Sequence, residues 1–309
     1  MYTSAMRTAL VFSCNEAYMP LAKGLALSLL ENLPPASWGA RPDPHFIDLG
    51  VSPASRAWLE EKGIHILGFC RDDFYPEGPA RALARHVDAQ LLRPFLPRLI
   101  PGYDMYMWLD ADIWIQERGA IQDCIDATGA ATGNMVICPE FHYGYVPFRD
   151  LDAMLRFLTH QLGMLYGEEA ARASRKRPVL NSGLFALAGN SSLWEKWASE
   201  LAMLLARPGI PPQALHLAEQ MALNRILYEE GRATFLDPIY NYACAASAVT
   251  RNARGKVVVG LPPFTPVKAP HLLAFSRYGD MYLEKGLLYA QGRYLDDAEK
   301  SALQQLCRR

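Results

Sequence analysis

Apolar positions near the start of the chain come in short runs whose period changes from one run to the next. Thr8–Cys14 (TALVFSC) is an unbroken, β-rich run, whereas Leu21–Glu31 repeats its apolar residues at helical spacing, which predicts strand, loop, helix. His45–Leu49 (HFIDL), then SPASRAWLEEKG, then IHILGF continue the alternation. Ser52 or Ser55 is placed to cap the second helix, through Trp58 and Glu61, and Gly63 to stop it. This is the pattern of an α/β protein.

Residues 81–99 (RALARHVDAQLLRPFLPRL) predict a helix interrupted at Pro94 and Pro97, which delivers the chain through IPGYD into MYMWLDADIWIQ at 105–116. Met105–Trp108 and Ile113–Ile115 have strand character, and between them stand two aspartates, Asp110 and Asp112. Farther on, MVICPEF and VLNSGLFAL predict strands, while LDAMLRFLTHQLGMLYG, SSLWEKWASELAMLLA and HLAEQMALNRILYEEG predict helices. The stretch 126–178 is the least regular, with an aromatic loop (FHYGYVPF) and a basic segment (ASRKRP). From about 246 the chain is proline-rich up to APHLLAF and ends in a polar helix.

Composition narrows this picture. With 309 residues, half of them hydrophobic, a fifth charged and a formal net charge of −1, the chain can bury a large core in one domain or two joined lobes. Neither disorder nor a general polyanion-binding surface is indicated, so nucleic acid is not expected as a partner. The six cysteines (Cys14, Cys70, Cys124, Cys138, Cys244, Cys307) show no metal-ligand spacing and read as reduced, mostly buried thiols. No run of about 18 apolar residues occurs, and the N-terminal apolar segment is too short for a secretory signal. The expectation is a protein without a transmembrane segment, cytoplasmic, with peripheral contact at a membrane surface left open.

The acidic pair carries the chemistry. Asp110 and Asp112 flank the small Ala111, and a regular strand would project both carboxylates to one side. Burying them unpaired is costly, and a shared proton, basic partners or a divalent cation would relieve the cost. No lysine or arginine lies inside the run, which favours a cation arriving with a ligand, and oxygen donors favour Mg2+ or Mn2+ over zinc. Solvated D-x-D pairs are common on surfaces; the apolar flanks set this one apart. In an open α/β sheet, moreover, ligands gather beyond the carboxyl ends of strands.

MYMWLDADIWI, preceded by PFLPRLIPGYD, resembles the D-x-D segment of glycosyltransferases of the GT-A fold, especially the retaining family 8 enzymes that include glycogenin and bacterial lipopolysaccharide glycosyltransferases. The resemblance implies a Rossmann-like mixed central sheet flanked by helices. It also implies a nucleotide-diphospho-sugar donor, UDP-sugar favoured, whose diphosphate is bound beside Ala111 through Mn2+ or Mg2+ held by Asp110 and Asp112.

Further segments follow in the family's order. TALVFSCNEAYMPLAKGLALSLLENLP resembles its first strand, loop and helix, which would bring Cys14, Asn15 and Tyr18 near the base and ribose. Arg93 resembles an arginine that reaches the donor, with Arg85 as the competing candidate. Asn181-Ser182-Gly183 resembles an N-[AS]-G segment whose asparagine faces the donor sugar, although Gly183 also fits a bulge. His271 falls in a segment resembling H-x-x-G-x-x-K, here with Ala274 and Arg277 at the last two positions, so that His271 would join the metal and Arg277 the diphosphate. HLAEQMALNRIL resembles D-Q-D-x-x-N, keeping Gln220 and Asn224, lengthening the first acid to Glu219 and replacing the second by Met221. Gln220 is then the residue near the reacting carbon, and Glu219 the better nucleophile chemically. Phe141, Tyr143, Tyr145 and Phe148 offer a stacking platform for an acceptor, or a core cluster.

These features imply one continuous GT-A domain in three stretches. Residues 1–125 form the nucleotide-sugar half ending in the D-x-D strand, 126–245 the acceptor-side half, and 246–309 a closing segment and helix, with HLLAFSR folding over the donor. The expected activity is metal-dependent sugar transfer, with retention, to a glycan, lipid-linked or protein acceptor. Two alternatives stand beside it: a catalytically inactive nucleotide-sugar or glycan binding protein, and a sugar-phosphate nucleotidyltransferase. The latter is ranked lower because CNEAYMP replaces a glycine-rich phosphate loop.

Overall fold

The computed structural model describes residues 6–35, 41–75, 83, 87–146, 150–210, 212–244, 247–272, 297, 298 and 301. Strands β1 (Thr8–Cys14), β2 (Asp43–Asp48), β3 (His65–Gly68), β4 (Met105–Leu109), β5 (Met135–Pro139), β6 (Leu180–Ala188) and β7 (Ala233–Phe235) form one sheet in the order β3-β2-β1-β4-β6-β5-β7. The first four are parallel, β6 is antiparallel to both β4 and β5, and β7 is parallel to β5.

Alternate residues of the central strands enter separate cores, as the pleat requires. Ala9, Val11, Tyr106, Trp108, Phe185 and Leu187 face the helices Leu151–Tyr166, Leu193–Ala206 and Ala218–Glu230. Leu10, Phe12, Met105, Met107, Leu184 and Ala186 face the helices Met19–Glu31, Pro53–Glu61 and Gly119–Ala130. Both faces are therefore covered, and that is why β1 and β4 read as continuous apolar runs rather than alternating ones.

The expected capping is present: the Ser52 hydroxyl accepts from the Ser55 N–H at 3.2 Å, and Gly63 turns the chain at φ +73°. The helix Gly119–Ala130 and strand β7 carried no expectation from the sequence. Residues 113–115 do not form a strand; Ile113 makes only an isolated antiparallel bridge to His271.

Two small sheets stand beyond the carboxyl edge. β8 (Tyr242–Ala243) pairs with β11 (Pro270–His271), and β9 (Val249–Arg251) pairs with β10 (Val257–Val259). They share a third core containing Leu21, Trp114, Tyr145, Tyr242 and Leu272. Among the described residues no helix is long and apolar enough to cross a membrane. Cys14, Cys124, Cys138 and Cys244 are buried free thiols, while Cys70 is exposed.

Candidate active site

The strand order reverses between β1 and β4, which are parallel neighbours with Val11 opposite Trp108. Such a switch point opens a crevice at the carboxyl edge. The loop after Cys14 and the turn after Leu109 leave that edge side by side.

The acidic pair lies in this turn and not on a continued strand. β4 ends at Leu109, the Asp110 N–H still donates to the Gly183 carbonyl (2.8 Å), and the Ile113 N–H then donates back to the Asp110 carbonyl (3.0 Å). From Asp112 onward the chain zips against the late segment. The Leu272 N–H donates to the Asp112 carbonyl (3.0 Å), and those of Trp114 and Gln116 donate to Pro270 and Lys268 (3.2 and 2.9 Å). His271 is thereby brought to the aspartates from far along the chain.

One donor atom each from Asp110, Asp112 and His271 lies within 4.8 Å of the others. The Asn241 side-chain NH2 donates to Asn181 Oδ1 (3.1 Å), so its Oδ1 is the atom facing His271 Nδ1 at 2.8 Å, and Nδ1 carries the proton. That leaves His271 Nε2 pointing at Asp112 Oδ1 (3.1 Å) and Asp110 Oδ2 (3.9 Å). Only a proton or a cation can separate these acceptors. Burial pulls the His271 pKa down, but the charge of Asp112, its hydrogen bond and the charge of Asp110 outweigh this and hold it above the ordinary value. Two carboxylates and an imidazole with its tautomer set by an outer partner fit a divalent cation.

Gly183 makes this convergence possible. β5 and β6 slip in register between Ile137 and Cys138, which pair with Phe185 and Asn181, so Ser182–Leu184 bulge toward the site. A Cβ on Gly183 would sit 2.6 Å from His271 Cε1 and 2.8 Å from Asp110 Oδ2. The bulge expected at Gly183 is present, and the close approach at this glycine carried no expectation from the sequence. Asn181 pins the bulge, its Oδ1 accepting from the Gly183 N–H (2.8 Å) and its NH2 donating to Glu140 Oε1 (2.7 Å).

Asp110 has a basic partner after all, supplied from outside its run. The Arg93 guanidinium pairs with Asp110 Oδ1 at one end and, at the other, donates to Glu219 Oε2 (2.8 Å) and Ser182 Oγ (2.7 Å). Its Cζ lies 5.1 Å over the Trp108 ring, and Trp108 Nε1 donates to the same Asp110 oxygen at 2.7 Å. Arg93 is 4% exposed, committed to these partners beneath the turn.

Glu219 is displaced from the role its chemistry suggested. It is 1% exposed and lies behind Arg93, so its carboxylate has no open face for a sugar. Burial outweighs the attraction of Arg93 and pushes its pKa up to about 7. Gln220 is half-buried, and its Oε1 accepts from the Ser182 backbone N–H (3.0 Å) and faces the Ser182 hydroxyl (3.2 Å). A backbone N–H is always a donor, so the Gln220 oxygen is occupied and its NH2 is the group left for a ligand. Asn224 braces both segments, exchanging bonds with Leu180 N–H and C=O (2.7 and 2.8 Å), and Met221 is core.

Of the other expected residues, Cys14 is buried with its thiol against Met19 Sδ (4.0 Å), its pKa raised well above the ordinary value by burial and then by Glu16 and Asp48. Asn15 Oδ1 is buried with no hydrogen-bond partner among the described residues; Tyr18 is half-buried and Ala111 is buried. Tyr145 is core, whereas Phe141 and Tyr143 are exposed. Arg85, Phe148, Ala274, Arg277 and Cys307 lie outside the described residues. Ser182, Trp108, Asn241 and Glu140 carried no expectation as site residues. A tryptophan in an apolar strand reads as core, and nothing local marks Asn241.

Solved structures share this fold. The galactosyltransferase LgtC, in complex with donor and acceptor sugar analogs, matches over 95% of this chain and 99% of that one, with a TM-score of 0.55 and 14% identity. The chain has the GT-A glycosyltransferase fold. Mouse xyloside xylosyltransferase 1 in its apo form matches over 87% of this chain and 98% of its own, with a TM-score of 0.51 and 15% identity. The bifunctional glycosyltransferase WbbM matches over 77% of this chain but only 40% of its own length, with a TM-score of 0.52 and 14% identity. At these identities the likeness is one of fold. No protein-family model and no curated protein matches the chain by sequence.

Proposed function

We propose that the protein is a metal-dependent glycosyltransferase that moves a sugar from a nucleotide-diphospho-sugar, by preference a UDP-sugar, to a glycan, lipid-linked or protein acceptor with retention. The observation that carries this reading is the convergence of Asp110, Asp112 and His271 at the switch point of a GT-A sheet. A bound Mn2+ or Mg2+ would supply Lewis-acid neutralisation of the diphosphate. Asp110 and Asp112 bring the negative charge that holds it, Asn241 keeps the His271 lone pair turned inward, and Arg93 with Trp108 aims Asp110. Residues 1–125 then serve the donor, 126–245 the acceptor, and 246–309 closure, with Arg277 and Arg85 as further phosphate candidates.

Retention is supported by what the two candidate nucleophiles do. Glu219 is buried behind Arg93, and the Gln220 oxygen is held by Ser182. Neither offers an oxygen to the sugar, which favours attack by the acceptor on the face the leaving group vacates. In that step the C1–O bond to the diphosphate breaks and its electron pair leaves with the phosphate oxygen. The acceptor oxygen bonds to C1, and its proton passes to that phosphate oxygen. The Gln220 NH2 is placed to donate to an oxygen of the reacting partners.

Thermal shift with nucleoside diphosphates and nucleotide sugars, with and without Mn2+, tests the reading. UDP with Mn2+ should raise the melting temperature by ~4 °C at a hundred times Kd, more than either alone, and a UDP-sugar should be hydrolysed only when metal is present. Equal stabilisation by every nucleotide, with no hydrolysis of any sugar donor, would reject it.

A further inference from the structure

The chain spends a buried ion network beneath the acidic turn, and its cost calls for a reason. Arg93 and Glu219 are both almost wholly enclosed, and Glu219 Oε1 and Arg93 Nε have no hydrogen-bond partner among the described residues. Orphaned buried polar atoms destabilise, and two apolar side chains in place of the pair would pack at lower cost. What the network does accomplish is a division of charge. Arg93 Nη2 meets Asp110 Oδ1, while Nη1 meets Glu219 Oε2 and Ser182 Oγ.

We propose that Glu219 is a positioning residue for the cation site: by drawing part of the Arg93 charge away from Asp110, it sets the affinity of the Asp110, Asp112 and His271 cluster for a divalent cation. Without a carboxylate at 219, the guanidinium charge would fall undivided on Asp110 and oppose a second positive charge there. With it, Asp110 is held by one oxygen, Oδ1, to which Trp108 Nε1 also donates, and its Oδ2 remains turned toward His271. A glutamate on the helix Ala218–Glu230 reaches across to Arg93 on the segment before β4, and the Ser182 hydroxyl bridges the two side chains, at 2.7 Å from Arg93 and 3.1 Å from Glu219. Glu219 thus acts on the cation through Arg93 and touches neither the cation nor the substrate.

This inference rests on the metal-site reading above, and Mn2+ alone separates the two. Free Mn2+ is followed by electron paramagnetic resonance at about pH 8, on full-length protein without nucleotide. The wild type should bind Mn2+; the isosteric Glu219→Gln should bind it about ten- to a hundredfold more weakly, the range lost when a group supporting a metal ligand is removed. Glu219→Asp, which keeps the charge but withdraws it by one methylene, should fall between them. A purely structural role would lower the melting temperature of the metal-free protein and leave the Mn2+ affinity of its folded form unchanged. Unaltered affinity in folded E219Q, beside a wild type that binds, overturns the inference and leaves the metal site standing. A wild type that does not bind Mn2+ overturns both. If E219Q fails to keep its near-UV circular dichroism, E219D decides alone: weakened binding supports the inference, and wild-type binding overturns it.

Discussion

At the carboxyl edge of the sheet Arg93, Asp110, Asp112, Glu219 and His271 are packed together, each carboxylate facing a guanidinium or an imidazole, and the carboxylates hold the pKa values of Arg93 and His271 above their ordinary ones. At the amino edge, where β2 begins, His45 is buried just as deeply and is discharged. Tyr103 donates its hydroxyl hydrogen to Asp43 Oδ2 (3.0 Å), so it accepts from His45 Nε2–H at 2.8 Å, and His45 Nδ1 is left bare. Burial, and then the neighbouring His65, bring the His45 pKa down to about 4. The difference is one of partners. His271, buried against two carboxylates, is favoured in its charged form, whereas His45, hydrogen-bonded to a neutral tyrosine with His65 alongside and only Asp43 opposing, gives its charge up. At the carboxyl edge three carboxylates thus meet one guanidinium and one imidazole.

The contrast can be broken at either edge. The largest effect is expected from Asp112→Asn, and likewise Asp110→Asn, which remove ligand charge but little volume. Metal-dependent turnover of a nucleotide sugar should fall about a thousandfold or more while the fold persists; full activity in both would remove the pair from the chemistry. Next comes Arg93→Met, which leaves Glu219 and Asp110 without their shared cation. Urea unfolding should show a loss of about 3–5 kcal/mol, since an uncompensated buried charge remains.

The amino edge is tested by pH. The folded-state pKa of His45 lies below its unfolded value, so between about pH 6.5 and 4 the unfolded chain binds more protons and stability falls as pH falls. The His45 share of that loss is about 3 kcal/mol at most, and it should vanish in His45→Phe when unfolding free energies are compared across this range. The smallest effect on stability is expected from Gly183→Ala, about 1–3 kcal/mol of overpacking. Its methyl should nonetheless weaken Mn2+ binding, because it enters the space between His271 and Asp110.

Much of the framework is legible in the sequence because helix and strand periods record which faces meet a core. β1, β4 and β6 read as apolar runs since both faces of the sheet are covered, and Ser52 and Gly63 mark the ends of their helix by local chemistry alone. The aspartates stand out for the same reason, as charges in an apolar run. The helix Gly119–Ala130 escaped this reading: its sequence, GAIQDCIDATGA, is short of strong helix formers, and packing against β5 and β6 upholds it.

What the sequence by itself determined, then, is the α/β alternation and the acidic pair as the place to look. Tertiary structure alone decided how that charge is met. Arg93 comes from the segment before β4, Glu219 from a helix past β6, and His271 from a bridge to Ile113, three distant stretches that meet only because the sheet brings their ends to one edge. Local periodicity is a property of neighbours along the chain, whereas the partner of a buried charge is a property of neighbours in space.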